Sequence, residues 1–154
     1  MSSQETYLRH SVTGIVIHDG KVLLARHTYG AGKGKLIVPG GYVEKGETPQ
    51  EALIREYKEE TGIVIEPENI IGIRFNMQDW YVAFKAKYIS GTAKSDKHEN
   101  NEVLWLDIQE ALQREDVPDL TKKLIGSAIS KEKGLEKIDY KSRNYPPFSF
   151  YGQK

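Results

Sequence analysis

No cysteine occurs among the 154 residues, which excludes a disulfide framework, thiolate metal sites and a cysteine nucleophile. Long apolar runs are missing as well. No window approaches the roughly 18 apolar residues that span a bilayer, and Met1 to His10 holds no apolar stretch of the kind a signal sequence needs. A soluble, cytoplasmic domain with no membrane partner is therefore expected. Charge of one sign is not in excess, with 22 Lys+Arg against 22 Asp+Glu. That balance argues against a protein that coats nucleic acid through its overall field. Histidine is scarce, and His10, His18, His27 and His98 form no pair at metal-ligand spacing. Internal repeats, low-complexity tracts and a dividing linker are also absent. The length suits one ordinary domain with enough chain to bury a core without covalent staples.

The apolar segments that are present alternate with turn signals. Ser11 to His18 is rich in β-branched residues, Asp19-Gly20 suits the left-handed turn of a hairpin, and Lys21 to Arg26 returns as the second strand. A loop rich in Gly and Lys, His27 to Lys35, leads to a short strand, Leu36–Val38, which Pro39-Gly40-Gly41 must break. Thr48 as N-cap, Pro49 in the first helical position, Glu51 completing a capping box and Gly62 as the stop predict a helix from Pro49 to Thr61. Ile63–Ile65, Ile70–Phe75, Tyr81–Tyr88 and Val103–Leu106 read as strands, and Ile108–Arg114 and Leu120–Lys131 as helices. The order predicts an α/β domain, a mixed sheet sandwiched between helices.

The overall neutrality hides a segment that is far from neutral. Between Gly41 and Glu60 lie six Glu against Lys45, Arg55 and Lys58, a local charge of −3. Glu56, Glu59 and Glu60 are three and four residues apart, so a helix brings them toward one face. Like-charge neighbours at this spacing cost roughly 0.2–0.5 kcal/mol per pair. Glu59 and Glu60 also occupy the last turn, where the helix dipole disfavours each by roughly 0.3–1 kcal/mol. Arg55 offsets part of this, and a divalent cation would remove the rest, since carboxylate oxygens are the ligands Mg²⁺ prefers. The alternative on spacing alone is a solvated acidic face. Gly40-Gly41 just before the helix lets backbone approach a ligand without intervening side chains, and Glu47 lies within reach of Arg55.

From Gly41 the string runs five residues, Glu47, seven residues, then Arg55-Glu56-Tyr57-Lys58-Glu59-Glu60-Thr61-Gly62-Ile63. This resembles the signature box of the Nudix hydrolase family, with every fixed polar and Gly position filled. Tyr57 stands where an aliphatic residue is usual, which is expected to alter core packing and to leave the carboxylates undisturbed. Leu36 stands where many members carry Trp. The wider resemblance runs from about Ser11 to Ala111. It implies cleavage of a diphosphate linkage in a nucleoside diphosphate derivative, with Mg²⁺ or Mn²⁺ as cofactor. Glu56, Glu59 and Glu60 would be metal ligands with the carbonyl of Gly40, and Arg55 and Glu47 would pair to hold that helix face in place. The general base would be a box glutamate or one of Glu99 and Glu102. A triphosphate, ADP-ribose or another nucleotide sugar, and a dinucleotide remain open as substrates. The rival reading is a Nudix domain that senses a nucleotide without hydrolysing it, against which the complete set of glutamates argues.

Other features are less specific. Arg26 at the end of the second strand, Lys35 after it and Gly41 are candidates for substrate contact, with surface solubility the alternative for the two cations. Trp80 and Phe75 can stack a base or ribose, or pack in the core. The Gly30–Lys35 stretch lacks the spacing of a phosphate-binding P-loop. The main domain is expected to span residues 1–134. Residues 135–154 form a basic tail with an aromatic cluster, Tyr145, Phe148, Phe150 and Tyr151 around Pro146-Pro147. That tail is expected to dock on the domain or on the mate in a homodimer.

Overall fold

The computed structural model describes residues 8–141 and 148–154; Tyr145 and the Pro146-Pro147 pair of the tail, and residues 1–7, lie outside the described residues. Four strands open the chain: β1 (Arg9–His18), β2 (Lys21–His27), β3 (Leu36–Ile37) and β4 (Gly40–Tyr42). Helix α1 (Pro49–Thr61) follows, then β5 (Val64–Phe75), β6 (Asp79–Ser90) and β7 (Asn100–Asp107). Helices α2 (Ile108–Gln113) and α3 (Asp119–Ile129) precede β8 (Glu136–Ile138) and β9 (Phe150–Gly152).

Asp19 and Gly20 both adopt left-handed backbone, φ 51° and 73°, and close the β1–β2 hairpin as that dipeptide should. The two strands pair only at Ile17↔Val22 and His18↔Lys21. Beyond that they part company. β1 pairs in parallel with β6, whose far edge pairs antiparallel with β5, while β2 pairs with β3 and β7. β4 pairs with β1 from Ser11↔Tyr42 to Thr13↔Gly40. The glycine pair thus begins a strand where only a break was expected, because the backbone resumes pairing immediately after Pro39. The expected Ile63–Ile65 and Ile70–Phe75 strands are one strand, interrupted by register shifts around Pro67 and Ile70, a tolerable place for a residue without an N–H.

Side-chain alternation along the strands fills two cores. On one face Val12, Val16, Leu23 and Phe84 pack with Leu53 and Tyr57 of α1. On the other, Ile15, Val22, Leu24 and Ala83 pack with Leu124 and Ile125 of α3 and Ala111 of α2. The result is the mixed sheet between helical layers that the element order predicts. β8 pairs with β9, and Leu135 bridges to Ile70. The Tyr151 ring lies edge-on to Phe84 at 5.7 Å, and its hydroxyl accepts a hydrogen bond from Gln50 Nε2 at 2.9 Å. Among the described residues no helix is long and apolar enough to cross a membrane.

Candidate active site

Helix α1 begins and ends where its sequence dictates. The Thr48 hydroxyl accepts the Glu51 N–H at 3.2 Å, and Gly62, at φ 74°, donates its N–H to the Lys58 carbonyl. Fixing both ends fixes the rotation of the helix. Tyr57 then points into the core, fully buried, with its hydroxyl donating to the Gly14 carbonyl. Glu56 and Glu60 lie one turn apart on the opposite side, facing β4.

Arg55 organises this face. Its Nε and Nη2 donate to the two carboxylate oxygens of Glu47 at 2.6 and 2.9 Å, a bidentate pair. Its Nη1 reaches Glu56 Oε1 at 2.8 Å and Glu59 Oε2 at 3.3 Å, and Nη2 also meets the Tyr42 carbonyl at 3.2 Å. The guanidinium holds the Glu47 carboxyl below its usual value. Glu56 is pushed up by burial and drawn partly back by Arg55. Glu60, only 4% exposed, has no cation against it among the described residues. Burial, reinforced by Glu99 and Glu56, pushes its carboxyl up to about 10, although Oε2 accepts the Gly40 N–H at 3.1 Å.

Glu99 arrives from the loop before β7. Thr28 N–H donates to the Glu99 carbonyl at 3.1 Å, and buried Asn100 donates through Nδ2 to the Glu60 backbone carbonyl at 2.9 Å. This pins the loop to the end of α1. Carboxylate oxygens of Glu56, Glu60 and Glu99 then lie within 4.8 Å of one another. Three hard oxygen donors this close, on a face where burial and like charge disfavour ionised Glu60, fit a divalent cation such as Mg²⁺ or Mn²⁺. A Cβ at Gly41 would lie 2.5 Å from the Glu56 carboxyl carbon, so any side chain there would displace that carboxylate.

The remaining expected site residues fall differently. Glu59 is on the rim, its side chain 60% exposed, and is not one of the three grouped carboxylates. Gly40 meets the group through its N–H, which Glu60 Oε2 accepts. Glu102 is not in the group either: it stands opposite Arg26 in the β2–β7 register and pairs with it at 3.1 Å. Arg26 also binds Asp116 at 3.1 Å and the Gly34 carbonyl at 2.9 Å, so its donors are spent on structure and not held free for phosphate. Lys35 sits exposed in the β2–β3 turn and lines neither lobe of the cleft. Trp80 and Phe75 are 48% and 63% exposed and pack edge to face at 5.3 Å. Core packing is therefore wrong for both, and Trp80 also stands outside the cleft, because the next residue along β6, Tyr81, takes the inward place.

Further residues complete the cleft around these candidates. One lobe, about 380 Å³, is lined by Arg9, Tyr29, Tyr42, Lys45, Glu56 and Glu99 among others. Its neighbour, about 310 Å³, shares Tyr29, Gly40, Gly41 and Tyr42 and adds Ser11, His27, Arg74, Asp79 and Tyr81. Arg9 stacks over the Tyr42 ring at 3.5 Å. Larger clefts of about 670 and 720 Å³ lie along α3 and under the tail, away from the carboxylates. The position of Tyr42 directly after Gly40-Gly41 was a usable signal; nothing local marks Tyr29 or Asp79.

The family model described as NUDIX domain matches residues 8–125. The chain belongs to the Nudix family. Over 63 residues it is 43% identical to an ADP-ribose pyrophosphatase of Methanocaldococcus jannaschii, covering 41% of this chain and 37% of that one. Over 121 residues it is 34% identical to an NAD-capped RNA hydrolase NudC of Vibrio atlanticus, covering 74% and 43%. The chain thus spans less than half the length of these two relatives. The crystal structure of a MutT NUDIX hydrolase from Burkholderia pseudomallei shares the fold, with a TM-score of 0.67 at 20% identity over 79% of this chain and 98% of that one. In Nudix terms, Arg55 to Gly62 is the helical part of the box, and Gly41 and Glu47 are its entrance.

Proposed function

We propose that this Nudix protein hydrolyses a diphosphate linkage in a nucleoside diphosphate derivative. The observation that carries the reading is the convergence of Glu56, Glu60 and Glu99 at the side of a cleft. Glu56 and Glu60 would hold a Mg²⁺ or Mn²⁺ ion, with Glu59 one turn away on the rim. Such an ion, when bound, neutralises charge on phosphate oxygens and lowers the pKa of a bound water. Arg55 and Glu47 position the helix face and take no part in bond breaking, since their hydrogen bonds are to each other and to neighbouring carboxylates. Arg9 and Lys45 line the same lobe and supply cationic contacts for phosphate.

In the reaction the oxygen of water bonds to one phosphorus as the P–O–P bridge to that phosphorus breaks. The bridging oxygen departs with the other phosphate, and the proton of water passes to the Glu99 carboxylate, which lies on a loop and not on the box helix. The test is a panel of triphosphates, nucleotide sugars and dinucleotides assayed with Mg²⁺ and with Mn²⁺, with products identified by chromatography. Two phosphorylated products from at least one diphosphate ester are expected. Failure to cleave any of them, by protein that binds them, would point to a sensor instead.

A further inference from the structure

The second lobe of the cleft holds a polar pair that the hydrolytic reading does not use. Asp79 opens β6 and Arg74 lies near the end of β5, opposite Tyr81. Arg74 Nη2 donates to Asp79 Oδ1 at 2.6 Å, and the Ser11 hydroxyl donates to Asp79 Oδ2 at 2.5 Å. The Asp79 side chain is only 14% exposed, and the guanidinium stacks over the Tyr81 ring at 4.8 Å. Arg74 Nε is buried and makes no hydrogen bond among the described residues. With Nε enclosed and the Arg74 side chain 35% exposed, the donors it can offer to the lobe are its Nη groups.

Both side chains line the lobe that joins the carboxylate lobe through Gly40, Gly41, Tyr29 and Tyr42. A substrate with its diphosphate at the carboxylates therefore places its next group here. Three tyrosines and His27 around this lobe favour a flat ring, because stacking is available to every base. What distinguishes one base from another is the edge. Guanine presents an acceptor, O6, next to two donors, N1–H and the N2 amine. Arginine is the donor suited to the O6/N7 side, and a carboxylate accepts the two N–H groups. Adenine reverses the order, setting its N1 lone pair against the carboxylate.

We propose that Arg74 and Asp79 select a guanine nucleotide over an adenine nucleotide in this lobe, Arg74 donating to O6 and Asp79 accepting from N1–H and N2–H. Ser11 fixes the carboxylate from behind. The inference rests on the hydrolytic reading only for the orientation of the substrate. A site built to bond a donor edge rejects an analogue lacking it far more strongly than an apolar pocket rejects a methyl group. The expected preference is therefore at least about tenfold.

The test compares kcat/KM for pairs that differ only in base, GTP with ATP and GDP-glucose with ADP-glucose, and adds ITP, which lacks the N2 amine. Wild-type protein should favour guanine by at least about tenfold, with inosine between, and Asp79→Asn should bring the ratio to within about twofold of unity. GMP and AMP binding by calorimetry without metal gives the same comparison independently of turnover. If nothing is cleaved but GMP binds more tightly than AMP, the hydrolytic reading fails and the base selection stands. Equal or adenine-favouring ratios in wild type overturn the selection while leaving hydrolysis intact, and need no variant to fold.

Discussion

Tyr57 shows how much one side chain decides. It fills a position of the box where an aliphatic residue is usual, and it is wholly buried with its ring among Leu53, Ile63 and Phe84. A buried hydroxyl is tolerable only with a partner, and the Gly14 carbonyl provides it. The substitution Tyr57→Phe should cost about 1 kcal/mol, the net worth of one such hydrogen bond, read as a lower urea midpoint. Turnover should stay within twofold of wild type, because the ring faces away from the carboxylates. A large loss of turnover at unchanged stability would place Tyr57 in the site after all. Arg55 decides the other side of the same helix, since it pairs with Glu47, Glu56 and Glu59 together.

Between elements, what was legible depended on how local the cause is. The bounds of α1 follow from Thr48, Pro49 and Gly62, all adjacent to the helix, and the structure has Pro49–Thr61 as read. Which of Glu99 and Glu102 lies beside Glu56 and Glu60 was not legible, because it depends on how β7 registers against β2, which sets Glu102 opposite Arg26. Arg26 was misread for a related reason. Its second partner, Asp116, lies 90 residues away in sequence and reaches it only once the α2–α3 connection has packed. Arg114 first, then Arg26, hold the Asp116 carboxyl well below the usual range. A depressed pKa stabilises the fold above the unfolded value and loses that effect as pH falls. Asp116→Asn should therefore lower stability at pH 7 by about 1 kcal/mol, the discount being for a side chain 29% exposed. The gap should begin to close below the 3.8 of an ordinary Asp and narrow further down. Urea titrations at pH 7 and pH 3 read both numbers; a gap that widens in acid would contradict the assignment.

At the scale of the molecule, zero net charge is an average over unlike regions. Six Glu crowd the segment from Gly41 to Glu60, while Lys131 to Lys154 carries six basic and three acidic residues. The fold keeps the first at a cleft between α1 and the β7 loop, and seats Tyr151 of the second against Phe84 in the core that α1 covers. Arg55, the Gly40 N–H and Asn100 hold the acidic face against its own repulsion, and that is the stored cost a cation would relieve. The most direct test is Glu60→Gln, assayed for turnover and for thermal stabilisation by Mg²⁺. Glutamine imitates the protonated carboxyl that burial favours, so the variant should fold as well as wild type. Turnover should fall by about 100-fold or more, as removal of a central charge-stabilising group does, and stabilisation by Mg²⁺ should vanish. Wild-type turnover in folded Glu60→Gln would contradict the account.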